Sequence, residues 1–383
     1  MSSKSGLLAV GNFDSNVGYA WRLMERLWCE LSRNAKAHNY ETHICFPSVS
    51  TIPECLKKEG IQINQLDFTS RSILDLIRQI SFLKRNSIKV VYLTDFPTYS
   101  LRYMLFRLAG VSKIIVHDHT PGVRSRPGYL KASLKRLLNT LPFISCTACF
   151  AVSPYIEDRL KLVNCVPERK VHCVTNGISL DQRFIDSPKN NNIVVIVTVA
   201  RATYYKGIDF AIRTISKLVH HEGVRDIRYV LYGDGPDLIE FRKLADKLNV
   251  SDYVHLQGSV DNIAERLLQC DIAFHPSKGE AMSIAILEYM RASIPIVSSD
   301  NPSVSSALVH NEFALIYREG CIDEAASALK KLILSKNLRI KMGCSARSKV
   351  ETDFSESAML LRFTKAFEKV MDWSPDFNNN KAT

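Results

Sequence analysis

Residues Asn192–Gly207 read "NIVVIVTVARATYYKG", a run of β-branched apolar residues that stops at Arg201 and passes through a polar turn to a glycine. A short apolar run bounded by a turn is the pattern of a buried strand. The unit recurs in both directions. Downstream, "IRYVLYGDG", "YVHLQGS", "IAFHPS" and "IPIVSSD" read as further strands, with helix-period segments between them. Upstream, "GLLAVGNF", "THICFP", "VVYLTD", "KIIVHDH" and "ACFAVS" form an earlier series, separated by helical patterns such as Tyr19–Arg33 and Ile73–Asn86. Strands alternating with helices specify a parallel α/β sheet. Two consecutive Rossmann-like halves are therefore expected, joined at the polar, proline-bearing "DSPKNNN" of Asp186–Asn192. The chain has 383 residues, 46% of them hydrophobic, enough for a substantial core in each half. Only the tail "SPDFNNNKAT" is expected to be disordered.

Charge divides unevenly between the halves. Residues 1–185 carry 25 Lys+Arg against 14 Asp+Glu, whereas residues 186–383 carry 25 of each, so the whole net charge of +11 lies in the first half. It is densest over Arg102–Arg136, where "RPGYLKASLKRLLNTL" reads as a basic amphipathic helix after a Pro-Gly loop. Such a segment suits either a solvated face or an anionic membrane surface. No nucleic-acid motif or basic-aromatic interleaving accompanies it. No run approaches the roughly 20 apolar residues that cross a bilayer. The opening "MSSKSGLLAVGNF" turns into a strand and a glycine loop rather than a signal peptide, so a cytoplasmic location is expected. The ten cysteines are scattered and read as reduced; "CTAC" at Cys146–Cys149 has the spacing of half a zinc site, but no second close pair follows.

In open parallel sheets, ligands bind beyond the carboxyl ends of the strands. The conspicuous residues fall there. Gly11 and Gly18 follow the first strand; His117 and His119 end another; Arg201 and Lys206 end the first strand of the second half; Gly233 and Gly235 follow the next. The stretch His275–Met290, "HPSKGEAMSIAILEYM", sets Glu280 and Glu288 eight positions apart in an apolar run. Eight residues is a little over two helical turns, so the two acids share one side of a helix or of its entry. With Ser277–Glu280 as loop and Ser283–Met290 as helix, the amides of Ala281, Met282 and Ser283 lie at the helix start, where anions are attracted. Carboxylates accept from hydroxyls and amides donate to phosphate, which suits a ligand bearing both. An isolated E-x7-E is otherwise a pair of solvent-facing acids on an amphipathic helix.

Taken together and in this order, these residues resemble the retaining glycosyltransferases of sequence family 4, whose fold is the two-domain GT-B arrangement. "VARATYYKGIDFAIRTISKL" is similar to the family's R-x4-K strand-loop-helix, "LYGDGPDLIEFRKLADKL" to its glycine turn, and "VHLQGSVDNIAERLLQCDIAFHPSKGEAMSIAILEYMRASIPIVSSD" to its nucleotide-binding core with the E-x7-E signature. In the first half, "CFAVSPYIEDRL" and "CVTNGISLDQRF" are similar to its serine-started helix and its N-G-I/V turn. The resemblance covers nearly the whole chain. It implies a GT-B fold of two Rossmann-like, doubly wound domains facing a cleft. These would be an acceptor-binding domain over residues 1–185, a nucleotide-sugar domain over 186–360, and a C-terminal helix over 361–383 that packs back on the first.

The resemblance further implies that Arg201 and Lys206 hold the donor diphosphate, that Glu288 accepts from ribose hydroxyls, and that Glu280 contacts the donor sugar. The amides of Ala281, Met282 and Ser283 would meet the sugar or the phosphate. Gly258 and Val260 would border the base; Gly233, Gly235 and Gly18 would let backbone approach the ligands. Either His117 or His119 would stand beside the transferred sugar, with Asp118 a lesser candidate for the acceptor. "EAMS" departs from the family's usual glycine and aromatic or leucine after the first glutamate, which bears on sugar identity.

The expected activity is transfer of a hexose-type sugar from a UDP- or GDP-sugar, with retention and without a metal or other cofactor, to a glycan or lipid-linked acceptor. Assembly of bacterial surface polysaccharide at the inner face of the cell membrane is the setting expected from the basic first half. A nucleotide-sugar epimerase, a sugar-phosphate synthase and a catalytically silent scaffold are the other readings.

Overall fold

The computed structural model describes residues 4–16, 22–180 and 193–373. Gly18, the Asp186–Asn192 linker and the tail from Ser374 onward lie outside the described residues. The chain forms two compact units. Unit 1 comprises residues 1–120, 124–176 and 359–383, and unit 2 comprises 121–123 and 177–358. The division thus falls at Asn176/Gly177, ahead of the expected linker.

Unit 1 holds a seven-stranded, wholly parallel sheet. In chain order its strands are β1 (Ser5–Val10), β2 (Tyr40–Phe46), β3 (Gln62–Gln65), β4 (Ile88–Thr94), β5 (Lys113–Asp118), β6 (Ala148–Ala151) and β7 (Val171–Cys173), arranged β3-β2-β1-β4-β5-β6-β7. Parallel neighbours need crossovers, and the helices supply them: α1 (Arg22–Ala37) after β1, α2 (Glu54–Lys58) after β2, α3 (Ile73–Arg85) after β3, α4 (Leu101–Leu108) after β4, α5 (Tyr129–Thr140) after β5 and α6 (Pro154–Leu162) after β6. The central strands are buried on both faces, which is why they read as continuous apolar runs. By contrast β3, sequence "QINQ", is polar and at the sheet's edge, and the sequence patterning did not single it out. Ser153, the serine expected to start a helix after the run "ACFAV", caps α6: its side chain accepts from the Ile156 amide.

Unit 2 repeats the design with six strands: β8 (Val194–Val199), β9 (Ile227–Tyr232), β10 (Val254–Leu256), β11 (Ile272–His275), β12 (Ile296–Ser299) and β13 (Ala314–Tyr317), in the order β10-β9-β8-β11-β12-β13. All are parallel. Its helices are α7 (Ile208–His220), α8 (Leu238–Lys247), α9 (Ile263–Leu267), α10 (Ile284–Arg291), α11 (Pro302–Ser305), α12 (Ile322–Leu334) and α13 (Lys336–Asp353), and its core packs Ile208, Ile212 and Ile215 of α7 against Ile196, Tyr229 and Phe274 of the sheet. The strand order reverses between β8 and β11, and this switch point is where a parallel sheet opens a crevice at its carboxyl edge.

The last helix, α14 (Glu356–Met371), belongs to unit 1 from Met359 onward. Met359, Phe363 and Phe367 join a core that contains Leu7, Trp28 and Tyr92. The helix therefore completes the apolar core of a unit whose strands lie more than 180 residues earlier in the chain.

Candidate functional site

In unit 2, β8 and β11 end side by side, and the two turns that follow them are laced together. After β8 the chain makes a single 3-10 turn at Tyr204–Lys206, closed by Gly207 in the left-handed conformation (φ 71°). A Cβ on Gly207 would stand 2.1 Å from the Pro276 carbonyl oxygen, so glycine is required both by φ and by the approach of the second turn. The Lys278 amide donates to the Tyr205 carbonyl at 3.0 Å. Asn301 Nδ2 donates to the Lys278 carbonyl at 3.1 Å, and the Glu280 amide donates to Ser303 Oγ at 3.3 Å.

These turns bring Lys206 onto Glu280, with Nζ 2.6 Å from Oε1. His275, the last residue of β11, places Nε2 3.3 Å from the same carboxylate oxygen, without the alignment of a hydrogen bond. Glu280 is buried, which by itself would push its carboxyl up; His275 and the Lys206 ammonium prevail and hold it down at about 2. It is a carboxylate throughout the physiological range. It can accept hydrogen bonds from hydroxyls but cannot serve as a proton donor near neutrality.

Arg201 lies at the start of the same turn, is exposed, and makes no ion pair among the described residues. Glu280 leads through Ala281, Met282 and Ser283 into α10 (Ile284–Arg291), one residue later than the expected helix start. Its N-cap residue, Ser283, makes no capping side-chain hydrogen bond among the described residues. The helix's positive end thus opens beside the turn that carries Lys206. Tyr289 of α10 ties the helix to β8 by accepting from the Val199 amide at 2.6 Å.

Glu288 is buried and ion-paired with Arg291, one turn along α10; Arg291 also donates to the Ser179 carbonyl at 3.0 Å. The second acid of the E-x7-E pair is therefore held from behind by a guanidinium, an arrangement invisible in the spacing alone.

Gly233 and Gly235 make room for protein backbone, since a Cβ would lie 2.0 Å from the Ala200 oxygen and 2.4 Å from the Ala202 oxygen respectively. They let the β9 turn pack on the turn that bears Arg201. Gly258 (φ 73°) returns its carbonyl to the Gly233 amide at 2.8 Å, with open space at its own Cβ position. Val260 follows in the loop after β10.

In unit 1, His117 and His119 meet at the end of β5, ring centroids 4.2 Å apart. His117 is fully buried, its Nδ1 paired with the Tyr92 hydroxyl and its Nε2 without a hydrogen-bond partner among the described residues. Burial holds both imidazoles neutral, His117 well below the usual value and His119 at about 4. Asp118 faces inward instead. Both of its oxygens lie 2.9 Å from Arg159 Nη2, and Oδ1 also accepts from the Thr120 amide, which commits the carboxylate to structure rather than to an acceptor.

Two residues joined these sites without being singled out from sequence: His275, readable only as one more strand-end histidine, and Asp95. Asp95 adopts a left-handed φ of 60° after β4, its carboxylate accepts from the His119 amide at 2.6 Å, and burial pushes it up to about 6.

Two Rossmann-type units, the second with a basic turn beside a helix start at its switch point, define a class, and comparison with known proteins agrees. A glycosyltransferase from Rickettsia africae superposes with a TM-score of 0.77 at 18% identity, covering 97% of this chain and all of that one. Anabaena Alr3699/HepE, solved with UDP and glucose, superposes with 0.73 at 12% identity over 95% of this chain and all of its own. The fold is that of the GT-B glycosyltransferases.

Residues 24–182 match the Glycosyltransferase Family 4 model and residues 181–349 the model for glycosyl transferases group 1. The chain belongs to this glycosyltransferase family. Among curated relatives, N-acetyl-alpha-D-glucosaminyl L-malate synthase of Bacillus anthracis is 22% identical over 46% of this chain; the chain spans 46% of that enzyme's length. The GDP-mannose-dependent alpha-(1-6)-phosphatidylinositol monomannoside mannosyltransferase of Mycobacterium tuberculosis is 22% identical over 71% of this chain and 73% of its own.

Proposed function

We propose that this glycosyltransferase moves a hexose-type sugar from a nucleotide diphosphate sugar to a hydroxyl of a glycan or lipid-linked acceptor, with retention and without a metal. The contact of Lys206, Glu280 and His275 at the head of α10 carries the reading. An ammonium with three donors spends one on Glu280 and keeps two for a phosphate. Together with Arg201 and the start of α10, it offsets the negative charge that grows on a departing nucleoside diphosphate. Glu280, ionised, accepts from hydroxyls of the transferred sugar, and Glu288, braced by Arg291, accepts from the ribose. The amides of Ala281, Met282 and Ser283 meet the sugar or the phosphate, and Gly258 and Val260 flank the base. In unit 1, a neutral His117, through its Nε2, or a neutral His119 offers a ring nitrogen to a hydroxyl of the transferred sugar.

No carboxylate is assigned as nucleophile. Glu280 is tied to two basic neighbours, which suits positioning, and the leaving phosphate takes the acceptor proton in a front-face transfer. The names of relatives support a donor of this class, since one is GDP-mannose-dependent and one structure holds UDP. A phosphatidylinositol-linked acceptor in the first of these supports a lipid-linked acceptor here, and bacterial surface polysaccharide assembly at the inner membrane face is the setting we propose.

Nucleotide release from a panel of UDP- and GDP-sugars, with and without extended acceptors, tests the reading. Release that depends on an acceptor and vanishes in Lys206→Ala supports it. Release supported only by a soluble sugar phosphate indicates a synthase, and silence with every donor indicates a scaffold.

A further inference from the structure

An amphipathic helix on a folded unit ordinarily turns its apolar side inward. Helix α5 does the reverse. At about 100° per residue, Leu130, Leu134 and Leu137 fall within about 60° of one another. All three face solvent, Leu130 at 84% exposure. Asn139, about half a turn away around the helix, is fully buried. Its Nδ2 donates to the Lys135 and Asn164 carbonyls at 3.0 and 2.8 Å, and its own carbonyl accepts from Lys170. Lys135 also points inward, donating to the Val163 carbonyl at 2.8 Å. Polar groups thus fasten the helix to unit 1, and the leucines are left outside.

The outward apolar surface extends beyond α5. Phe143 is 64% exposed, and the neighbouring Ile144 carbonyl accepts from the Ser100 amide just before α4, a helix whose first and last residues, Leu101 and Leu108, are also exposed. An outward-facing strip of leucines with further exposed apolar residues on a neighbouring element marks an interaction site. Its surroundings identify the partner. Between Asp118 and Glu157 the sequence has five Lys and Arg residues and no carboxylate, and of these Arg124, Arg126, Lys131 and Arg136 are exposed. On the helical wheel Lys131 and Arg136 flank the leucine strip on its two sides.

A second copy of the chain would bring the same cations against these, which like-charge repulsion opposes. Nucleic acid would leave the leucines uncovered. A bilayer with anionic headgroups satisfies both features: its boundary takes up leucines, and its headgroups take up the cations. We infer that α5 is a membrane-docking element, lying in the plane of an anionic lipid surface with Leu130, Leu134 and Leu137 inserted and Lys131 and Arg136 at the headgroups. The assignment is independent of the donor chemistry, because docking requires no turnover.

Sedimentation of the full chain with vesicles tests it, using phosphatidylcholine mixed with phosphatidylglycerol, and phosphatidylcholine alone. The wild type should pellet with the anionic vesicles, and raising salt should weaken but not abolish the binding, because inserted leucines are not screened. The Leu130→Ser/Leu134→Ser/Leu137→Ser variant should bind at least about tenfold more weakly with an unchanged melting temperature, since the residues are already exposed. Lys131→Gln/Arg136→Gln should lose most of the salt dependence. Wild type that stays in the supernatant, or a triple-serine variant that pellets equally, overturns the proposal. So does a wild-type dimer, seen by light scattering, that the serine variant dissolves without any vesicle binding.

Discussion

Removing the Lys206 side chain tests the site's electrostatics and its chemistry together. Glu280 is held at about 2, against 4.5 for an ordinary glutamate, even though burial pushes it the other way. At about 1.4 kcal/mol per unit, its folded-state preference for the charged form amounts to roughly 3 kcal/mol. His275 and Lys206 share that preference. Lys206→Ala should therefore cost about 1–2 kcal/mol of stability near neutral pH. For a unit of this size that lowers the melting temperature by about 2–8 °C.

The sign of the pH dependence follows. A depressed carboxyl stabilises the fold fully above its unfolded value and loses that contribution as pH falls through the folded one. The melting gap between wild type and Lys206→Ala should thus be full at neutral pH and close between about 4.5 and 2. Turnover should fall by about 10²–10³ at saturating donor, because the ammonium acts on charge that develops as the nucleotide leaves. Melting by circular dichroism across pH and acceptor-dependent nucleotide release read the two effects. Wild-type turnover in a folded Lys206→Ala protein, or a melting gap that widens in acid, would refute the reasoning.

Other expectations follow from single contacts. Gly207→Ala adds a Cβ that meets the Pro276 carbonyl at 2.1 Å on a left-handed backbone, and a loss of about 2–4 kcal/mol should show in denaturant unfolding. Arg159→Ala leaves the buried Asp118 carboxylate unpaired and should cost about 3–5 kcal/mol, whereas Arg159→Met with Asp118→Leu should regain much of it; equal midpoints for the two variants would count against a buried pair. His117 and His119 stay neutral in the fold while the unfolded chain takes up protons below about 6.5, so stability should decline as pH falls from there toward about 4. Asp95, raised to about 6, offsets part of that decline, and His119→Asn should flatten the profile of denaturation midpoints against pH.

Much of the architecture is legible because the signals are local. A continuous apolar strand such as β8 or β4 announces burial on both faces, and the intervening crossovers show helical spacing. Edge strands escape this reading: β3 is polar, and β7 is only three residues long. The spacing of Glu280 and Glu288 likewise placed one acid in the loop and one on the helix. It could not show that the first meets Lys206 and the second Arg291. The glycines after β9 illustrate the same limit, since sequence indicates that a small residue is needed but not whether ligand or backbone fills the space; here backbone fills it.

The sequence by itself determined the alternation of strands and helices, the two parallel sheets and the residues at strand ends, because each follows from periodicity within a few residues. The tertiary structure alone decided that Lys206 and Glu280, 74 positions apart, share one contact, because that depends on β8 lying beside β11 in the strand order. It also decided the orientation of α5. Amphipathic spacing fixes that a helix has an apolar side, but which side faces outward depends on the carbonyls and lysines the rest of unit 1 presents to Asn139 and Lys135.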